Sequence, residues 1–114
     1  MNKEFIPYEQ ALELKELGFN EGCLKKYDAD GDLSIDTQNG YYVNQHLSKS
    51  TSAPLYQQAF RWFREKYEFT YSIGRTNIAV IHYGLTTQLL QNNNSYEEAE
   101  LACIKKFIEI TNAE

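Results

Sequence analysis

Cysteine and histidine are both scarce in this chain, at two residues each: Cys23 and Cys103, His46 and His82. Without a readable export signal, so few cysteines point to a reducing compartment. Both are expected as buried, reduced thiols rather than as a disulfide or redox pair. Neither histidine has a Cys or His partner at metal-ligand spacing, which excludes a recognisable zinc site. Long apolar runs are missing as well. The longest is Ile78-Ala79-Val80-Ile81, far short of the roughly 20 residues needed to cross a bilayer. The first residues, MNKEFIP, lack the apolar stretch of a secretory signal, so a cytoplasmic protein without membrane contact is expected. Asn93-Asn94-Ser95 is then a chance match to a glycosylation sequon. Basic residues are outnumbered, 11 against 16 acidic, for a net charge of −5 and a pI near 5.0. That balance disfavours unaided nucleic-acid binding, which normally needs a basic footprint. It suits a solubilising surface, or one that competes with nucleic acid for a basic partner.

What is abundant is aromatic: nine Tyr, six Phe and one Trp, 14% of 114 residues. Tyrosine serves equally at the edge of a core and at a binding surface. The length suits one domain, residues 1–114, with enough apolar residues for a core.

Local signals predict an α+β fold with three helices and two small antiparallel hairpins or meanders, in the order α-β-β-(β)-α-β-β-α. The first helix is expected from Pro7 to Leu17. Pro suits a first helical turn, the stripe of Tyr8, Ala11, Leu12, Leu14 and Leu17 has helical spacing, and Gly18 ends it with Phe19 folding back on Leu14. Asp30-Gly31 and Asn39-Gly40 are tight-turn dipeptides. They predict strands near Cys23–Asp28, Asp32–Asp36 and Tyr41–Gln45. His46–Ala53 is small and polar and reads as a flexible loop. A second helix is expected over Pro54–Tyr67, with Tyr56, Ala59, Phe60, Phe63 and Tyr67 on its apolar side. A hairpin follows, Phe69–Ile73 and Ile78–Tyr83 around Gly74-Arg75-Thr76-Asn77. Leu85–Asn94 reads as a short apolar element ending in an Asn-rich turn. Ser95 and Glu98 form a capping box that opens the last helix. All three helices open on Tyr-x-x-Ala (Tyr8/Ala11, Tyr56/Ala59, Tyr96/Ala99), a spacing that puts an aromatic beside a small residue on one face.

Two stretches imitate functional motifs. Asp28, Asp30 and Asp32 fill the first three ligand positions of a calcium loop, but Leu33 stands where the turn glycine belongs and Asn39 where a bidentate Glu belongs. They are weak metal candidates at an Asp-rich hairpin tip, and no cofactor is expected. The run Phe60-Arg61-Trp62-Phe63-Arg64-Glu65-Lys66-Tyr67 mixes stacking and phosphate-binding residue types. Trp62 falls off the main apolar stripe and would be an interface anchor if exposed. A binding face of Arg61, Trp62, Arg64 and Arg75 is the alternative reading, a nucleic-acid or nucleotide-binding module built on the 58–67 helix and adjoining strands. No nucleophile–base pairing, P-loop or dinucleotide fingerprint is readable, so a non-enzymatic protein is expected.

Three stretches taken together, IPYEQALELKELGF (6–19), QAFRWFREKY (58–67) and SYEEAELACIKKFIEI (95–110), resemble a group of small uncharacterised proteins encoded by phages and prophages of Bacteroidota. The resemblance covers about a third of the chain. It implies a phage or mobile-element origin, life in the host cytoplasm and a host or phage protein as partner. It carries no known activity. The sequence departs from the group's pattern at Gly22, where a Pro is expected, and at Glu68, where a Gly follows the second helix. Both departures concern turns.

Overall fold

A computed structural model describes residues 4–34, 44 and 49–113. The elements are α1 (Tyr8–Glu16), β1 (Lys25–Tyr27), β2 (Thr51–Ala53), α2 (Tyr56–Tyr67), β3 (Thr70–Ile73), β4 (Ala79–Tyr83), β5 (Thr86–Leu90) and α3 (Tyr96–Asn112). Three helices and two antiparallel sheets, of two and three strands, make this the expected α+β class. The chain divides into two compact units, Met1–Tyr56 and Gln57–Glu114.

In the first unit, α1 starts at a Pro7 cap and closes where Gly18 predicts. Gly18 has φ 99°, and its N–H donates to Lys15 O (3.1 Å) while Phe19 N–H reaches Leu14 O (2.9 Å). This double bond pattern satisfies carbonyls that the helix itself leaves open, and it drives Phe19 back beside Leu14. Both side chains are fully buried. The partner of β1 differs from the expectation. Lys25–Tyr27 pairs antiparallel with Thr51–Ala53, which composition assigns to a flexible loop. The reason is burial: all three β2 residues are buried, and Tyr27 Oη donates to Ile6 O at 2.6 Å. Small polar side chains are tolerated because they let chains approach closely, although the Thr51 and Ser52 hydroxyls find no hydrogen-bond partner among the described residues. The Asp-Gly turn forms as expected, closed by a Tyr27–Leu33 bridge. The turn expected at Asn39-Gly40 and most of the strand expected at Tyr41–Gln45 lie outside the described residues, as do Ile35 and Asp36.

The second unit is a three-stranded meander, β3-β4-β5, with α3 packed on it. The Leu85–Asn94 stretch resolves into β5, joined to β4 by a two-residue turn, Gly84-Leu85, inside the pair Tyr83↔Thr86. Ser95 caps α3 by accepting from Glu98 N (3.1 Å), and Glu98 Oε1 returns to Asn94 N (3.0 Å), so the predicted capping box is present with a one-residue offset. Of the Tyr-x-x-Ala openings, the alanines Ala11, Ala59 and Ala99 are all buried, while Tyr8 is half-buried, Tyr56 buried and Tyr96 exposed. The small residue is thus the shared requirement.

Glu68 ends α2 at φ 62°, its N–H bonded to Arg64 O at 3.0 Å. This is the left-handed position that favours glycine, where other L-residues lose roughly 1–2 kcal/mol. Because Glu68 is exposed, Glu68→Gly is expected to stabilise the protein by about 0.5–1 kcal/mol, net of glycine's larger unfolded-state entropy. Urea denaturation at neutral pH measures it, and a loss of stability would contradict this account of the turn.

Candidate functional site

The acidic hairpin tip is built from the bottom up by Asp28. Its Oδ1 accepts from Asp30 N (2.9 Å) and Asp32 N (3.0 Å), and its backbone closes the turn with Gly31 N and Asp32 O. Aspartate favours such turns because its short side chain can bond the backbone just ahead of it. Gly31 takes φ 86°, and the Tyr8 ring lies where a Cβ would project, 2.9 Å from its Cδ2. Tyr8 also packs edge-on against Tyr27, centroids 5.3 Å apart. The start of α1 therefore braces the tip. Carboxylate oxygens of Asp28, Asp30 and Asp32 come within 4.8 Å of one another, and all three residues are exposed. No salt bridge neutralises them among the described residues. The calcium-loop pattern stays broken at Leu33, which bridges Tyr27 in a strand-like pair instead of making a turn.

The candidate face on α2 comes out differently. Arg61 and Arg64 are exposed on the helix and Arg75 is exposed in the β3–β4 turn, but Trp62 is buried, 7% exposed. At 100° per residue the buried side of α2, from Trp62 through Ala59 and Phe63 to Phe60, spans an arc of about 160°. Trp62 lies at one edge of that arc rather than outside it. Its ring meets Phe63 at 5.1 Å and Tyr67 at 5.6 Å. The Lys66 ammonium sits 5.1 Å from its centroid, a cation–π contact that also shields the ring. Trp62 is therefore not the exposed interface anchor that its place off the main apolar stripe would have allowed.

Two groupings escape sequence reading. His82 Nδ1 lies 3.0 Å from Thr87 Oγ1 across the β4–β5 pair. The register of the Gly84-Leu85 turn is the signal that would have found it. Both residues are exposed on the open sheet face, and no carboxylate orients the imidazole among the described residues. A nucleophile couple needs such an orienting group. The second grouping is Glu100, nearly buried on α3 at 9% exposure, with Tyr71, Tyr96 and Cys103 around it. Burial, then the nearby Glu97, pushes its carboxyl pKa up from the usual glutamate range. Burial pushes the Cys103 thiol up to about 12, so it stays protonated and unreactive at neutral pH. Cys23 is likewise buried.

The sign of the Glu100 effect follows from proton binding. When the folded pKa lies above the unfolded one, the unfolded chain loses its proton first as pH rises, and stability falls across that interval. Glu100→Gln is therefore expected to raise stability at pH 7 by on the order of 1 kcal/mol, the scale of relieving one desolvated charge. The difference should vanish once the pH is below the unfolded carboxyl value. Unfolding curves of both proteins at acidic and neutral pH check this. An unchanged difference across the two would rule out Glu100 as its source.

A concavity of about 550 Å³ lies at the end of α1, lined by Leu12, Lys15, Glu16, Gly18, Phe19, Asn20 and Asn44. Two of its polar side chains, Lys15 and Asn44, are tied into the fold. Lys15 Nζ donates to Ser50 O (2.9 Å), Asn44 Nδ2 donates to Phe19 O (2.9 Å), and Asn44 Oδ1 accepts from Ser52 N (2.9 Å). No helix among the described residues is long and apolar enough to cross a membrane. Neither a protein-family model, nor a curated protein, nor a solved structure matches the chain.

Proposed function

We propose that this chain is a non-enzymatic accessory protein of a phage or mobile element that acts by binding another protein, a host or phage factor, and in its sharper form inhibits a host factor by occupying a basic surface. The observation that supports this is the acidic tip: three exposed carboxylates within 4.8 Å, held on a turn braced by Tyr8 and Gly31. Fixed carboxylates present negative charge to a basic surface with little ordering cost, much as a phosphate would, and steer association. The net charge of −5 works in the same direction. The nucleic-acid alternative requires stacking residues beside the arginines, and Trp62 is buried.

The test is affinity capture from host lysate with mass spectrometry, comparing the native chain with the double variant Asp30→Asn, Asp32→Asn. Neither side chain holds the turn, so stability should stay within about 0.5 kcal/mol. Capture of a basic partner should weaken at least severalfold, and native binding should fall with added salt. Capture that is indifferent to both the charge removal and salt would refute the acidic tip as the contact.

A further inference from the structure

The outer edge of the meander lacks the charges, prolines and bulges that usually keep a strand edge from pairing. β5 is the terminal strand of its sheet, bonded to β4 and to no other strand among the described residues. Its ladder runs without a bulge from Tyr83↔Thr86 to Ala79↔Leu90. Natural edges are normally blunted by charge, proline or bulges. Here no Asp, Glu, Lys or Arg lies anywhere between Arg75 and Glu97, and neither proline is in the stretch. Thr86, Thr87 and Leu89 are exposed, Leu89 at 54% and the adjoining turn residue Leu85 fully.

We propose that β5 pairs antiparallel with β5 of a second copy, joining two meanders into one continuous sheet across a two-fold axis at Gln88. Register and charge both single out a second copy as the occupant. A two-residue hairpin loop makes Tyr83↔Thr86 a hydrogen-bonded pair, and bonded and non-bonded pairs alternate from there. Gln88 and Leu90 thus turn their main-chain groups toward β4, and Thr87 and Leu89 turn theirs to the free edge. An antiparallel partner centred on Gln88 sets Thr87 opposite Leu89 of the copy, and Leu89 opposite its Thr87. Those are the residues whose donors and acceptors are unspent among the described residues, on both sides, so the strand is complementary to itself. Side chains agree, because Leu89 meets the Thr87 methyl on the outer face. Charge agrees too. Two chains of −5 repel wherever their acidic surfaces meet, and the charge-free edge is where two copies can approach without that cost. The pairing does not involve the acidic tip, so it stands or falls separately from the proposed partner binding.

Sedimentation velocity of the full chain tests it. The expected result is a mass twice the 13.3 kDa of one chain at protein concentrations of about 100 μM, where small interfaces are populated. Added salt should strengthen the association, because screening relieves repulsion between like-charged copies; binding of a basic partner should respond in the opposite direction. Thr87→Pro removes an edge donor without touching the β4 ladder, and Leu89→Lys places a charge at the contact. Either variant should sediment as a single chain, with its circular dichroism unchanged. Gln88→Cys should cross-link to itself on mild oxidation, while Thr86→Cys and Leu90→Cys, off the axis, should do so at least severalfold less. A native chain that remains a monomer across concentration and salt overturns the proposal, even if another protein's strand is later found on this edge. So does a dimer that survives Leu89→Lys, or one that cross-links equally at all three positions.

Discussion

Phe107→Ala is expected to cost about 3–5 kcal/mol, the range for removing a fully buried phenylalanine. Phe107 is completely buried on α3. Its ring centroid lies 5.3 Å from Phe63 on α2, 5.2 Å from Phe69 at the entrance to β3, and 6.2 Å edge-on from Phe60. One side chain therefore connects two helices and the sheet of the second unit. Truncation loses the transfer energy of the ring, and it leaves a space that the neighbouring rings fill only in part. Against a typical domain stability of roughly 5–15 kcal/mol, the loss is a large fraction of the whole. Phe107→Leu, which refills most of the space, should cost less than about 1.5 kcal/mol. Urea unfolding followed by fluorescence of the sole tryptophan, Trp62, reads the same unit directly. A cost below about 1 kcal/mol for the alanine variant would mean that the ring cluster is not the cohesive element the geometry indicates.

Gly31→Ala should cost on the order of 2–3 kcal/mol, and it bears on function as well as stability. Two penalties combine. The backbone at φ 86° disfavours any L side chain by roughly 1–2 kcal/mol. The new Cβ would also stand 2.9 Å from Tyr8 Cδ2 and 3.1 Å from its Cε2, which forces the ring off the tip. Repeating the substitution in a Tyr8→Leu background separates the two, since only the steric part is relieved there and the cost should fall by about 1 kcal/mol. If the acidic tip is the partner contact, Gly31→Ala should also weaken capture while leaving all three carboxylates in place. Equal costs in the two backgrounds would show that Tyr8 does not brace the turn.

These effects trace back unevenly to what a linear reading reveals. The end of α1, the Asp-Gly turn, the β3–β4 hairpin and the start of α3 were legible because each rests on a few adjacent residues with a specific dihedral or hydrogen-bond demand. The acidic tip was visible as a cluster of aspartates, and Asp28 proved to be its internal scaffold rather than a third equivalent ligand. The burial of Trp62 was left open because a 3–4 spacing describes the centre of a helix face and says nothing of its width. The burial of Glu100 was invisible for the same reason, as its own helix turn also carries Glu97 and Glu98 and reads as wet.

By itself, then, the order of residues determined where helices start and stop, which glycines must bend backward, and that the class is α+β. Those outcomes depend on contacts within one or two turns of chain, where local sterics and capping dominate. Only the tertiary structure decided that Thr51–Ala53 is the strand beside Lys25–Tyr27, that Trp62 turns inward, and that β5 closes the meander as its terminal strand among the described residues. Strand pairing across a long intervening segment, and the width of a buried face, are settled by surfaces that exist only once distant parts of the chain have met.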